Sequence, residues 1–85
     1  MQDFLTITLA DHPGELVRVL ALIERRRFTI RDVQTQAGSE PGTTTLCVMV
    51  TSEGRNVLSL TDQIQKLVDV VDVAHVPYGD LPSRS

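Results

Sequence analysis

The spacing of apolar residues predicts six consecutive elements of secondary structure. Residues 4–9 alternate between apolar and polar positions, which predicts a strand with one buried side formed by Leu5, Ile7 and Leu9. Helical spacing follows and predicts a helix that buries Leu16, Val19, Leu20 and Ile23. This helix is expected to end at the cationic run 25–27, because positive charges at a C-terminus complement the helix dipole.

The second half of the chain repeats this scheme. Residues 28–37 and 43–52 favour strands, and the turn-forming cluster 38–42 predicts a hairpin between them. A second amphipathic helix is expected over about 56–68, with an apolar stripe of Val57, Leu60, Ile64, Leu67 and Val68. Residues 70–76 predict a last strand. Val33 is out of phase with Phe28 and Ile30, which indicates either a bulge or a strand buried on both sides.

The order βαββαβ predicts an α+β fold of the ferredoxin-like type. Such a fold has a four-stranded antiparallel sheet with two helices on one face. Residues 1–78 are expected to form this domain, and residues 79–85, which lack periodicity, a flexible C-terminal tail. The second face of the sheet is left uncovered, and the residues expected there are Thr6, Thr8, Thr43, Thr45, Cys47 and Met49.

Composition narrows the possible partners. The formal net charge of −3 argues against nucleic acid, because nucleic-acid-binding domains usually carry a basic face. The single Cys47 can form neither an intramolecular disulfide nor a thiolate metal pair. No apolar run approaches the ~20 residues that a membrane span needs, so no membrane association and a cytoplasmic location are expected. The small core that 85 residues can build favours a homo-oligomer.

The candidate site lies between the first strand and the first helix, at residues 11–16. An Asp-His-Pro-Gly turn there points free backbone N–H groups and the positive end of a helix dipole at a possible carboxylate ligand. Gly14 would let a carboxylate approach the backbone, although turn geometry alone also selects glycine. Asp11 is either a helix N-cap or a ligand contact. His12 is expected to be a solvated turn residue and His75 a surface residue of an edge strand, and neither is a metal candidate.

Three functions found on similar folds do not fit the residues. A metal chaperone needs a thiolate pair in the first loop, where this chain has no cysteine. An RNA-recognition module needs aromatic residues on the open face of the sheet, where threonines and sulfur-containing residues are expected. An acyl-phosphatase-like enzyme needs an arginine to hold phosphate, and residues 10–16 contain none. The arginines at 25–27 are expected to form a solvated helix end.

The turn and its flanks resemble a known family. The Asp-His-Pro-Gly-Glu-Leu segment between strand and helix is similar to the signature of ACT domains, which are small regulatory modules that bind amino acids. Residues 16–36 and 64–76 are similar to the small regulatory subunit of acetolactate synthase, also called acetohydroxyacid synthase. The resemblance extends from Phe4 to about Pro77.

This resemblance implies a homodimer with effector sites between two domains. The implied effector contacts are made by Asp11, Gly14, Glu15 and Leu16 of one chain and by Thr29 and Ile30 of the other. Backbone N–H groups of residues 14–16 would bind the carboxylate of a branched-chain amino acid. Asp11 would bind its ammonium group, and Leu16 with Ile30 its side chain.

Two departures change the expected function. Members of the family that are sensitive to valine usually have Asn where this chain has Asp11 and Thr29, which puts feedback inhibition in doubt. The chain ends after one ACT domain and so resembles the short subunits of valine-resistant isozymes. We expect a non-catalytic subunit that activates the acetolactate synthase catalytic subunit, with thiamine diphosphate, magnesium and FAD held by that partner. A free-standing amino-acid sensor that regulates another protein is the alternative.

Overall fold

A computed structural model describes residues 2–12, 14–52 and 54–77 of the chain. Its six elements are β1 (Gln2–Ala10), α1 (Glu15–Arg25), β2 (Thr29–Ala37), β3 (Thr43–Thr51), α2 (Val57–Gln65) and β4 (Val70–Pro77). The predicted order βαββαβ is therefore confirmed. The expected tail at residues 79–85 and the proline of the candidate turn, Pro13, lie outside the described residues.

The strands form one antiparallel sheet in the order β2-β3-β1-β4. The two strands with the clearest alternation, β1 and β3, occupy the centre, and β2 and β4 are the edges. This is the predicted ferredoxin-like arrangement. The open face carries the residues expected there, since Thr6 lies opposite Cys47 and Thr8 opposite Thr45.

The core lies between the sheet and the two helices. Its fully buried members come from both central strands and both helices, and they include Leu5, Ile7, Val48, Val19, Ile23 and Ile64. The predicted stripe on α2 is correct except at its end, because α2 stops at Gln65 and Val68 is 90% exposed in the turn that follows. In the described parts of the chain, no helix is long and apolar enough to span a membrane.

The edge strand β2 contains the bulge that Val33 indicated. Its pairing with β3 shifts register between Ile30 and Asp32, so Arg31 is the extra residue. The alternative of a strand buried on both sides is wrong, because all residues of β2 except Ile30 are exposed. Among the described residues, the outer edge of β2 has no partner strand.

His75 is not the surface residue that the sequence predicted. Its Nε2 lies 2.8 Å from Oδ1 of Asp3, across the pairing of β4 with β1. Asp3 is buried on the helix-facing side of the sheet, so its carboxylate requires a polar partner, and the imidazole supplies one. The strand position alone gave no sign of this, because the two residues are 72 positions apart.

Helix α1 ends in a Schellman motif. The N–H of Phe28 donates to the carbonyl of Ile23 at 3.3 Å, and the N–H of Arg27 to that of Glu24 at 3.0 Å. Arg27 has the left-handed φ of 71° that such a motif requires and that glycine adopts most readily. Phe28 and Ile23, the pair that makes the accompanying hydrophobic contact, are both buried.

Candidate functional site

Backbone hydrogen bonds fix the chain at the end of β1. The N–H of Ala10 donates to the carbonyl of Asp69 at 2.8 Å, which ties this end to the connection between α2 and β4. The N–H of Asp11 donates to the carbonyl of Gly42 at 2.9 Å, which ties it to the β2–β3 turn. The start of the candidate turn is therefore held from two sides by parts of the chain that are distant in sequence.

Gly14 is the N-cap residue of α1 and has a left-handed backbone conformation, with a φ of 87°. A Cβ built at this position would meet no atom within 4 Å, so glycine is favoured here by the backbone angle and not by a lack of space. No side chain caps the helix. The reading of Asp11 as the N-cap is therefore wrong, and its side chain is exposed.

Only part of the predicted N–H cluster is available to a ligand. The N–H of Glu15 donates to the carbonyl of His12 at 3.2 Å and is thus already used. Within the described chain, no acceptor is recorded for the N–H groups of Gly14 and Leu16. Two of the three predicted donors therefore remain at the positive end of the α1 dipole.

A cavity of about 140 Å³ lies beside the turn. It is lined by Leu9, Ala10, Asp11, His12, Glu15, Leu16, Thr35 and Thr44. The cavity is open to solvent on one side, so a ligand bound in it would be enclosed only by a further surface. Of the predicted residues, Asp11, Glu15 and Leu16 line it directly, and Gly14 lies in the turn between them.

The other two predicted residues are not near this cavity within one chain. Thr29 and Ile30 pair with Thr51 and Val50, at the opposite end of the sheet from Thr44. The residues that β2 and β3 contribute to the lining are Thr35 and Thr44, which sequence reasoning missed. Their position depends on strand register, for which the local sequence carries no signal.

Glu15 is one of the residues expected to contact the effector, and it is buried. Only 3% of this residue is exposed, and Oε1 lies 3.4 Å from Nη1 of Arg18. Its other oxygen, Oε2, is buried and has no hydrogen-bond partner. Such an oxygen is costly unless a donor reaches it, and Glu15 is also one of the residues that line the cavity. The burial of Glu15 could have been predicted from its helical spacing with Val19 and Leu22, which places the carboxylate on the core-facing side of α1.

The histidine of the turn is solvated, as predicted. The side chain of His12 is 62% exposed, and its Nδ1 lies 3.4 Å from Oδ2 of Asp69. Among the described residues, no group of three or more His, Cys, Asp or Glu side chains could hold a metal ion. The polar groups that the described residues bring to this site include the carboxylate of Glu15 and the two free backbone donors of Gly14 and Leu16.

Comparisons with known proteins agree with this fold. The family model of the ACT domain matches residues 11–73. The acetolactate synthase small subunit of Mycobacterium leprae is 32% identical over 80 residues, which cover 94% of this chain and 47% of that protein. The probable acetolactate synthase small subunit of Methanothermobacter thermautotrophicus is 33% identical over 66 residues, or 76% of this chain and 39% of that protein. The chain spans about half the length, or less, of these curated relatives.

Solved structures give the same result. The acetolactate synthase small subunit from Thermotoga maritima superposes with a TM-score of 0.79 at 27% identity, covering 88% of this chain and 47% of that one. The ACT domain of a GTP pyrophosphokinase from Chlorobium tepidum superposes with a TM-score of 0.72 at 19% identity, covering 89% of this chain and 97% of that one. The second likeness is one of fold alone.

Proposed function

The chain belongs to the ACT domain family, and from this premise we propose that it is a non-catalytic regulatory subunit of acetolactate synthase. It would bind the catalytic subunit and raise its activity in the biosynthesis of valine, leucine and isoleucine. The observation that carries the proposal is the similarity to acetolactate synthase small subunits over most of this chain. The reaction and its cofactors, thiamine diphosphate, magnesium and FAD, are assigned to the catalytic subunit, and both subunits to the cytoplasm.

Activation needs no catalytic group in this chain. A subunit that binds the active conformation of its partner more tightly than the inactive one multiplies the ratio of active to inactive partner by up to the ratio of the two affinities. The rigid sheet with its buried aliphatic core provides a fixed surface for such binding. The activation of the catalytic subunit therefore cannot exceed that ratio of affinities.

A homodimer formed along β2 is the second part of the proposal. This nine-residue strand has an unpaired outer edge, and exposed edges of this length readily pair with another strand. Val33 lies at its centre and is 38% exposed. Pairing with a second copy would bury Val33 and satisfy the free backbone groups of the edge.

The geometry of such a dimer would complete the cavity. In an antiparallel pair of β2 strands centred on Val33, the bulged Arg31 has no residue opposite it, as in the pairing with β3. The partner's Ile30 then lies opposite Thr35. The partner's Thr29 then lies opposite Gln36. Because Thr35 lines the cavity, the partner strand would supply its missing wall. The pairing thus accounts for two predicted residues that one chain cannot bring to the site.

The completed cavity suits the three groups of a branched-chain amino acid. The N–H groups of Gly14 and Leu16 would donate to its carboxylate, and the buried Oε2 of Glu15 would accept from its ammonium group. Leu16 and the partner's Ile30 would contact its side chain. Glu15 replaces Asp11 as the main partner of the ammonium group, because Asp11 is exposed and its attraction is screened by water.

Sedimentation of this chain mixed with the catalytic subunit from the same organism tests the proposed partnership. A complex that contains both chains supports the regulatory subunit. A dimer of this chain that binds valine but sediments separately from the catalytic subunit supports the alternative, a free-standing amino-acid sensor that regulates another protein.

A further inference from the structure

A second cavity, of about 250 Å³, lies where the C-terminal end of α1 meets the N-terminal end of α2. It is larger than the cavity beside Gly14 and shares no lining residue with it. Arg26 and Arg55 line this cavity, together with the polar residues Ser59 and Gln63 and the apolar residues Phe28 and Leu60. Neither the proposed effector site nor the proposed dimer uses this cavity.

Among the described residues, no ion pair compensates the positive charge at this cavity. No carboxylate of the described residues forms an ion pair with Arg26 or Arg55, although the chain as a whole carries a formal net charge of −3. The described ion pairs all involve other residues. Nη2 of Arg26 instead donates to Oε1 of Gln63 at 3.1 Å, which holds this guanidinium group at the cavity while its charge stays available.

The attraction for an anion comes from the arginines and not from the helix end. Oδ1 of Asn56 accepts from the N–H of Leu58 at 3.0 Å, and the carbonyl of Asn56 accepts from the N–H groups of Ser59 and Leu60. These donors of the first turn of α2 are therefore already satisfied. Two guanidinium groups at one cavity provide planar, permanently charged donors that match a phosphate or a carboxylate.

The other part of the lining is apolar. Phe28 is 5% exposed and Leu60 is 1% exposed, so both present only a small surface, and that surface lines the cavity. A ligand that consisted of an anion alone would leave this apolar surface in contact with water. Small-molecule sites combine such an apolar lining with a few convergent polar groups.

We propose that this cavity binds a small molecule in which a phosphate or carboxylate group is attached to an apolar body. Arg26 and Arg55 bind the anionic group, and the apolar body contacts Phe28 and Leu60. The strained conformation of Arg27 contributes indirectly, because the tight end of α1 places Arg26 and Phe28 at the same cavity. The site is also adjacent to the start of β2, because Phe28 directly precedes Thr29.

Titration with phenyl phosphate tests this site directly. The amide resonances of Ser59 and Gln63 are followed at fixed ionic strength in the isolated chain, and inorganic phosphate serves as the comparison probe. We expect phenyl phosphate to bind about tenfold more tightly than inorganic phosphate, since an aromatic ring buries apolar surface that phosphate lacks. We expect the double variant Arg26→Gln/Arg55→Gln to lose about tenfold or more in affinity, because charge-assisted hydrogen bonds are lost.

A charge-matched double variant, Arg25→Gln/Lys66→Gln, is the control. Both residues are exposed and neither lines the cavity, so phenyl phosphate affinity should be retained. Equal losses in the two double variants, or equal affinities for the two probes, would overturn the proposal. If phenyl phosphate does not bind but Arg26→Gln/Arg55→Gln abolishes binding of the catalytic subunit, the cavity is part of a protein interface and the proposal is wrong. If this chain does not activate acetolactate synthase, phenyl phosphate should still bind at this cavity, so the two proposals are tested separately.

Discussion

Oε1 of Glu15 lies 3.4 Å from Nη1 of Arg18, while Oε2 of the same carboxylate is buried without a hydrogen-bond partner. A carboxylate held on one side and unused on the other is suited to accept a donor from a ligand. It is also close to the free N–H of Leu16, at the positive end of the α1 dipole. Glu15 and Leu16 therefore place a hydrogen-bond acceptor beside a donor, and a zwitterionic amino acid requires both.

Replacing Glu15 by Gln should weaken the binding of valine. The charge-assisted hydrogen bond to the ammonium group would be lost, and the dissociation constant measured by calorimetry should rise about tenfold or more. The matched control is Glu24→Gln, which removes the same charge from an exposed position of the same helix and should leave the affinity unchanged. Equal affinities in wild type and Glu15→Gln would show that Glu15 does not contact the effector.

Replacing Val33 by Lys should disrupt the dimer. Two lysines would meet at the centre of the paired β2 edges, and like charges directly opposite each other on paired strands are destabilising. At micromolar concentration the sedimentation mass should fall from twice 9.4 kDa to 9.4 kDa. The control is Val68→Lys, since Val68 is 90% exposed and distant from β2 in the chain. A dimeric Val33→Lys variant would contradict pairing through this edge.

Replacing Arg27 by Gly should stabilise the fold. Relief of the left-handed conformation is worth roughly 1–2 kcal/mol and exceeds the entropy that glycine adds to the unfolded chain, so we expect a net gain of about 0.5–1 kcal/mol. Denaturant unfolding measures this gain as a higher midpoint with an unchanged slope. The control is Arg25→Gly, which should lower the free energy of unfolding by about 1 kcal/mol, because Arg25 lies in the helix with an ordinary helical conformation.

The pair formed by Asp3 and His75 should be coupled in stability. Replacing His75 by Ala removes the partner of a buried carboxylate and should cost about 1–3 kcal/mol. In Asp3→Ala the buried charge is absent, so the further replacement of His75 should cost clearly less. A double-mutant cycle measured by thermal unfolding gives the interaction energy. Additive losses would indicate that the 2.8 Å contact contributes no stability.

The elements of the fold could be predicted because each one buries a face with a regular period. Alternation in β1 and helical spacing in α1 follow directly from packing against a single core. The end of α2 was misplaced because Val68 continues the apolar stripe past the last residue of the helix, in a turn where it is 90% exposed. An apolar residue in a short turn cannot be distinguished from a last helical turn by spacing alone.

The site could be predicted only where it is local in sequence. The turn that contains Asp11 and Gly14 is one continuous segment, so its residue types indicated its position. Thr35 and Thr44 reach the same cavity through strand register. The second cavity depends on the packing of α1 against α2, which brings together Arg26 and Arg55. No local pattern contains such information, which is why the arginine run was expected to be only solvated.

The most direct test of the central claim is the rate of acetolactate formation by the catalytic subunit as this chain is added. A regulatory subunit should raise the rate until a fixed ratio of the two chains is reached, because binding saturates. The catalytic subunit alone and a heat-denatured sample of this chain provide the baseline. A rate that stays at the baseline at every ratio, with both proteins folded, would contradict the account.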